Sequence, residues 1–191
     1  MTTLVVAAYA PELEGLRGDF LVRELGIGLV EASAGAAKAL GETRPDLVIL
    51  VGTAGALPGP PLGPPQIVVA RSARLVLREV EYAPGPMAQI ADADVELAAR
   101  LAARLGVPLV DVASPLGVTA SDAEAARLAE SGAEVEQLEC FALYRAAARL
   151  RIPAVAIFAI ANRVGSTAAA EWKSNRVRAE AAARDALLRA L

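Results

Sequence analysis

The chain of 191 residues contains no histidine, and this absence removes more chemistry than any other feature of its composition. Imidazole supplies most general bases at neutral pH, most zinc sites and the middle member of Ser and Cys triads. Mechanisms built on those groups are excluded. Cysteine occurs once, at Cys140, so neither an intrachain disulfide nor a thiolate metal cluster is available. Without an imidazole to activate it, that thiol reads as a small buried apolar side chain. Aromatic residues are only 4% of the chain and the net charge is -3, which leaves neither a base-stacking platform nor a basic phosphate-tracking surface. Nucleic-acid binding is not expected. Although 55% of the residues are hydrophobic, no uninterrupted apolar run approaches the ~18 residues of a membrane span, so a soluble protein with no membrane association is expected. Met1 to Ala10 are apolar but lack a basic leader region, and Pro11, Glu12 and Glu14 follow at once. They read as a first strand, and the default location is the cytoplasm. Catalysis, if present, must rest on carboxylates, amides, hydroxyls and arginines.

The length fits a single domain spanning residues 1–191. Strand-like apolar runs alternate with Ala-rich helical stretches, which predicts an α/β fold: three layers, α/β/α, around a central mixed, largely parallel sheet. Leu4 to Ala8 is a buried strand, Pro11 to Leu16 a helical turn, and Val30 to Leu40 a helix that Gly41 can cap. Leu47 to Val51 is a second buried strand running into Gly52-Thr53-Ala54-Gly55-Ala56, where small residues let a ligand approach the backbone. Gln66 to Ala70 and Leu75 to Tyr82 read as paired strands, with Arg74, Arg78 and Glu79 on a solvated face. Asp94 to Leu105 is helical and closed by Gly106. Leu109 to Val112 and Gly117 to Thr119 are strand candidates, and Asp122 to Ala129 is a helix ended near Gly132. Leu138 to Leu150 is helical, Ala154 to Ala161 is the strongest strand, and Ala168 to Leu191 is mainly helix.

Three polar residues fall where the pattern is apolar. From Glu139, positions three, four, seven and eleven residues on are Ala142, Leu143, Ala146 and Leu150, so this carboxylate faces inward. It needs donors there or it must protonate. A structural carboxylate accepting backbone N–H groups at the helix start and a ligand-binding carboxylate fit the pattern equally well. Asn162 follows the run Ala154 to Ala161 and emerges at the carboxyl end of a central strand, where open α/β sheets bind ligands; a turn-forming Asn is the alternative. Glu12 follows the first strand and Pro11, and taken alone reads as a first-turn residue. Gly26-Ile27-Gly28 and Gly52 to Gly55 are neither a dinucleotide fingerprint nor a P-loop. Together, however, several strand ends offer small or polar residues along one edge, as a pocket requires.

Five segments in one order resemble the purine nucleoside phosphorylase and nucleoside hydrolase superfamily. Ala7-Ala8-Tyr9-Ala10-Pro11-Glu12 resembles its opening strand and water-activating glutamate, and Gly26-Ile27-Gly28-Leu29-Val30 its G-I-G-K-V turn. Gly52-Thr53-Ala54-Gly55-Ala56 resembles its G-S-A-G-G loop. Val135-Glu136-Gln137-Leu138-Glu139 resembles the V-E-M-E segment whose last glutamate holds the ribose hydroxyls, with Leu138 in place of Met. Ile157 to Asn162 resembles the R-A-I-S-D strand end that recognises the purine. Within the superfamily, Asn162-Arg163-Val164-Gly165 followed by Trp172 resembles futalosine hydrolases of the menaquinone pathway, since adenine-cleaving relatives carry Asp at the Asn162 position.

What the resemblance implies is an N-ribosyl hydrolase acting on a 6-oxopurine nucleoside with a modified 5′ position, releasing hypoxanthine without metal or cofactor. Glu12 and Asn162 are the implied catalytic residues, and Gly52, Thr53, Ala54, Leu138, Glu139 and Phe141 the implied substrate-binding ones; ordinary core packing is the competing reading of Phe141. Phosphorylases of the superfamily place an arginine two residues before the G-S loop, and Leu50 stands there in this chain, which favours hydrolysis over phosphorolysis. Adenine release from methylthioadenosine or S-adenosylhomocysteine, phosphorolysis, and a nucleoside-binding or inactive paralogue are the alternatives. The superfamily's members are oligomers, so a homo-oligomer is also implied.

Overall fold

A computed structural model describes residues 1–77 and 88–191. Eight strands share one sheet. In chain order they are β1 (Thr3–Ala7), β2 (Leu21–Glu24), β3 (Leu47–Ala56), β4 (Ile67–Val76), β5 (Ile90–Asp92), β6 (Leu109–Pro115), β7 (Val135–Glu136) and β8 (Ala154–Arg163). The helices are α1 (Leu29–Thr43), α2 (Val95–Leu105), α3 (Asp122–Glu130), α4 (Cys140–Leu150) and α5 (Ala168–Ala190), and a 3-10 turn covers Ala10–Leu13.

Most pairings are parallel: β1 with β2 and β3, β3 with β8, β4 with β6, and β6 with β7. The β3–β7, β4–β5 and β4–β8 pairs are antiparallel. The mixed, largely parallel sheet expected from the alternating pattern is therefore present. Its pairings close a circuit, β3 to β8 to β4 to β6 to β7 and back to β3, with β1 and β2 extending from β3. The central strands β3 and β8 are buried on both faces and begin as apolar runs: Val48, Leu50, Val51 and every residue from Val155 to Ala161 are inaccessible to solvent. The helices pack as two groups, α1 with α4 and α2 with α5, and the sheet contacts both groups.

Local chemistry accounts for most boundaries. Asp94 accepts from the Leu97 N–H at the start of α2, and Gly106 closes that helix in the left-handed conformation. Ser121 caps α3 in the same way. Gly41, expected to end α1, lies inside it instead, and the left-handed cap falls on Arg44 at φ 43°. Pro45 is the actual stop, because its ring disfavours a helical residue before it. The helix expected from Leu138 starts at Cys140, with Glu139 as its N-cap.

Two strand expectations fail for identifiable reasons. The stretches expected to pair with each other, Gln66 to Ala70 and Leu75 onward, are largely one strand, β4, and its antiparallel partners are β5 and β8. The polar residues between them mark a bulge at Arg71, where the register against β6 shifts. Asp111 holds that bulge, accepting two hydrogen bonds from Arg71 (3.1 and 2.7 Å) and one from Ser72 (2.8 Å). Residues 78 to 82 of the expected strand, with Arg78 and Glu79, lie outside the described residues. Gly117 to Thr119 form no strand: the Thr119 N–H donates to the Glu136 carboxylate at 3.2 Å rather than to a neighbouring backbone. β2 was not foreseen, since its four residues are exposed and carry no apolar run.

Candidate active site

The carboxyl ends of β1, β3 and β8 lie side by side in register, with Leu4 beside Val48 and Val48 beside Ala154. Each end delivers one feature. After β1, Pro11 at the start of the 3-10 turn sets a tight helical turn, and the Glu12 N–H closes it on the Tyr9 carbonyl at 3.2 Å. That turn folds the Glu12 side chain back over the sheet. Its Oε1 accepts from the Thr53 N–H at 2.9 Å and its Oε2 from the Ala8 N–H at 3.2 Å. The carboxylate thus bridges β1 and β3 directly over Gly52, where a Cβ would stand 2.7 Å from Oε1. Glycine at 52 is a steric requirement of Glu12.

Only 4% of Glu12 is exposed, and burial pushes its carboxyl up to about 8. The Thr53 and Ala8 N–H groups oppose that rise, and the Glu139 and Glu180 carboxylates reinforce it. A carboxylate tuned to this range is suited to exchange a proton with water near neutral pH.

Glu139 is equally buried, and its inward direction agrees with the helical spacing. Although it is the N-cap residue, its side chain makes no capping hydrogen bond to α4. The first N–H groups of α4 are satisfied by other side chains: Gln137 Oε1 accepts from Glu139 N (3.0 Å) and Cys140 N (2.7 Å), and Ser114 Oγ accepts from Phe141 N (3.4 Å). The Glu139 carboxylate instead reaches across to the start of α1, where Oε1 accepts from the Gly28 N–H at 2.6 Å, and Gln137 Nε2 donates to Oε2. Gly28 adopts φ 86°, a region costly for a side-chain-bearing residue. Burial raises the Glu139 carboxyl above the ordinary range, against the lowering effect of those donors.

Asn162 sits at the end of β8, placed by a bulge: Ala54 pairs with Ile160, but Gly55 pairs with Asn162, so Ala161 is the extra residue. The Asn162 amide lies over Gly55, whose absent Cβ would come within 2.9 Å of Nδ2. One Nδ2 hydrogen donates to the Arg163 carbonyl at 2.9 Å. That acceptor fixes the amide's orientation and leaves Oδ1 and the second N–H for another partner.

Of the other residues singled out in the sequence, Thr53 touches Glu12 with both its backbone N–H and its hydroxyl. Ala54 is buried within β3. Leu138 lies half-buried between β7 and α4. Phe141 belongs to the main hydrophobic core, in keeping with the packing reading. Leu50 is fully buried in that core. The Cys140 thiol is inaccessible, and burial pushes it well above its ordinary range. Among the described residues, no group of three or more His, Cys, Asp or Glu side chains is placed to hold a metal ion.

Sequence reasoning did not assign roles to Gln137 or Ser114, nor to a stripe along α5. Trp172 Nε1 points to Thr53 Oγ1 at 3.5 Å, Arg176 lies over the Trp172 ring at 5.4 Å, and the buried Glu180 accepts from the Tyr9 hydroxyl. Arg184 donates to the Pro11 carbonyl at 2.9 Å. Residues 172, 176, 180 and 184 are spaced by four, so one helix face buttresses the turn that carries Glu12. The signal was present: Ala183 and Leu187, three and seven residues beyond Glu180, are apolar, the same pattern that marked Glu139.

With this geometry in place, comparison with known proteins defines the class. A model of the Phosphorylase superfamily matches residues 16–191, and the chain belongs to that family. Comparison with curated proteins gives no match. The 5′-methylthioadenosine/S-adenosylhomocysteine nucleosidase of Neisseria meningitidis, solved with methylthio-immucillin-A, is similar in structure with a TM-score of 0.86 at 19% identity, covering 99% of this chain and 97% of the other. The futalosine hydrolase of Helicobacter pylori superposes with a TM-score of 0.86 at 15% identity, covering 99% and 96%. The S-adenosylhomocysteine nucleosidase of Streptococcus pyogenes, solved with a methylthiotubercidin-type ligand, gives 0.87 at 19% identity, covering 100% and 95%. At these identities the likeness shows a shared fold.

Proposed function

We propose that this protein is an N-ribosyl hydrolase that cleaves the bond between a 6-oxopurine, hypoxanthine, and a ribose modified at its 5′ position, as in futalosine. The observation that carries the reading is the convergence of Glu12 and Glu139. These two buried carboxylates come from sequence positions far apart, and the Glu139 carboxylate is close enough to help raise the Glu12 carboxyl. Buried carboxylates without a fold-stabilising cation are costly, and such costs concentrate at functional sites.

In this reading Glu12 takes a proton from water as the water oxygen bonds to C1′ of the ribose. The C1′–N9 bond breaks, its electron pair leaves with the base, and N7 takes a proton from a second water; the proton held by Glu12 then passes to the hydroxide left behind and restores the carboxylate. Glu139 accepts hydrogen bonds from the 2′ and 3′ hydroxyls. Asn162 donates its remaining N–H to O6 and accepts from the N7 proton through Oδ1, stabilising the departing base. Gly52, Thr53 and Ala54 line the water and ribose side, and Leu138 flanks the sugar. We also read the active form as a homo-oligomer. Ile27 and Val30, which flank the Gly28 contact to Glu139, are large apolar residues left exposed, and sedimentation would show the association state.

The test is release of free base over time from futalosine, inosine and methylthioadenosine, with and without phosphate. Hypoxanthine release from the first two supports the reading. Adenine release from methylthioadenosine alone would replace it with the adenine-specific nucleosidase, and no release from any of them would leave a binding protein.

A further inference from the structure

Gln137 is buried. Its backbone is fixed to β6 on both sides: its N–H donates to the Ala113 carbonyl at 3.0 Å, and its carbonyl accepts from the Ser114 hydroxyl at 2.7 Å. The side chain is turned toward the start of α4. Oε1 accepts from the Glu139 and Cys140 N–H groups, and Nε2 donates to Glu139 Oε2. The two backbone donors force the orientation of the amide, because only its oxygen can face them.

We infer that Gln137 is the positioning residue for Glu139: by capping α4 and gripping one carboxylate oxygen, it holds Glu139 as a bidentate acceptor for a vicinal diol. This rests on the reading of Glu139 as the ribose ligand. An ionised carboxylate offers about four lone-pair directions. Gly28 N–H takes one on Oε1 and Gln137 Nε2 takes one on Oε2, so one remains on each oxygen, matching two adjacent hydroxyl donors. The residue type is demanding. Glutamate at 137 could serve the backbone donors but would repel Glu139, and an apolar side chain could do neither. The ionisable groups that couple to Glu139 are Glu12, from the 3-10 turn over β3, and the Cys140 thiol, from α4 itself. α1 and β6 bring the Gly28 N–H and the Ser114 hydroxyl to this corner.

The experiment compares wild type, Gln137→Glu and Gln137→Met, reading kcat, KM and melting temperature between about pH 5 and pH 9. At the acid end the introduced carboxyl of Gln137→Glu is protonated and can donate as the amide did, so its KM stays within a few-fold of wild type. As it ionises, two carboxylates face each other, and the ratio of its KM to that of wild type at the same pH rises on the order of tenfold, while kcat changes less; this is the loss of about one charge-assisted hydrogen bond. Gln137→Met, which also loses the cap, raises KM at every pH. A KM ratio that stays flat with pH, or an unaltered KM in Gln137→Met, overturns the inference. Should wild type release no base from any nucleoside, it is the reading of the site that fails, and melting then judges the clamp alone: the deficit of Gln137→Glu against wild type grows with pH if the clamp exists, and is constant if it does not.

Discussion

Replacing Gly52 by alanine tests the site through its tightest contact. A Cβ on Gly52 lies 2.7 Å from Glu12 Oε1 and 3.0 Å from both Cδ and Oε2, whereas ordinary contact begins near 3.4 Å. The carboxylate must therefore retreat by about 0.7 Å, and it is not free to do so, because Thr53 N–H and Ala8 N–H hold its two oxygens at 2.9 and 3.2 Å. A retreat of that size stretches the Thr53 bond to roughly 3.5 Å, beyond useful hydrogen-bond length. Above about pH 8, where Glu12 is ionised, weakening a hydrogen bond to a charged group costs about 1.5–3 kcal/mol, close to the usual range for overpacking. In a protein of this length that lowers the melting temperature by roughly 4–10 °C. A general base displaced by most of an ångström should lower kcat ~10- to 100-fold. The assay is spectrophotometric release of hypoxanthine from futalosine or inosine, alongside thermal melting by circular dichroism. Gly41→Ala is the control, since it lies inside α1 and a Cβ there meets nothing within 4 Å; it should leave turnover unchanged and stabilise by about 0.5–1 kcal/mol. Wild-type kcat and melting temperature in Gly52→Ala would refute the placement of the Glu12 carboxylate over β3.

Other outcomes follow from the same geometry. A carboxyl can serve as base only when ionised, so the proposed role of Glu12 requires kcat/KM to rise with pH with a midpoint near 8; a midpoint in the ordinary carboxylate range would detach Glu12 from the reaction. Stability should move the other way: the folded state holds the Glu12 proton to about 8 and the unfolded state releases it near 4.5, so melting temperature falls as pH rises between those values. Asp111, Asp122 and Glu171, held below their ordinary values by their donors, are ionised in both states across that window and do not cancel the trend. Asn162→Asp should lower kcat/KM for inosine-type substrates relative to adenosine-type ones, because an ionised carboxylate repels O6 and accepts from an exocyclic amine; an unchanged ratio makes Asn162 a turn residue. With Leu50 buried and uncharged at the position where phosphorylases carry arginine, product analysis in phosphate buffer should show free ribose, and ribose 1-phosphate would refute the hydrolytic assignment.

The sequence by itself determined the layout of the fold and the inward direction of Glu139, while Glu12 was singled out only by the resemblance of its segment to the superfamily's opening strand. Apolar runs long enough to be buried on both faces could only be interior strands of a largely parallel sheet, and the absence of histidine left carboxylates as the available bases. Local signals placed Asp94 at a helix start and Gly106 at a helix end, because capping depends on neighbours a few residues apart. The spacing around Glu139 showed that it points inward, since helical periodicity is also local. Tertiary structure alone decided what that carboxylate meets. Gln137 and Ser114 take the N–H groups of α4, and this separates a ligand-facing glutamate from a capping one, but Ser114 lies on another strand. The bulges at Arg71 and Ala161 were likewise invisible, because they arise from pairing register with a distant strand. The one at Ala161 turns the Asn162 amide over Gly55. Glu12 gained its meaning only when β1 and β3 were laid side by side: its pKa comes from burial beneath α5 and from donors on two strands, and desolvation is a property of the assembled interior that no stretch of sequence carries on its own.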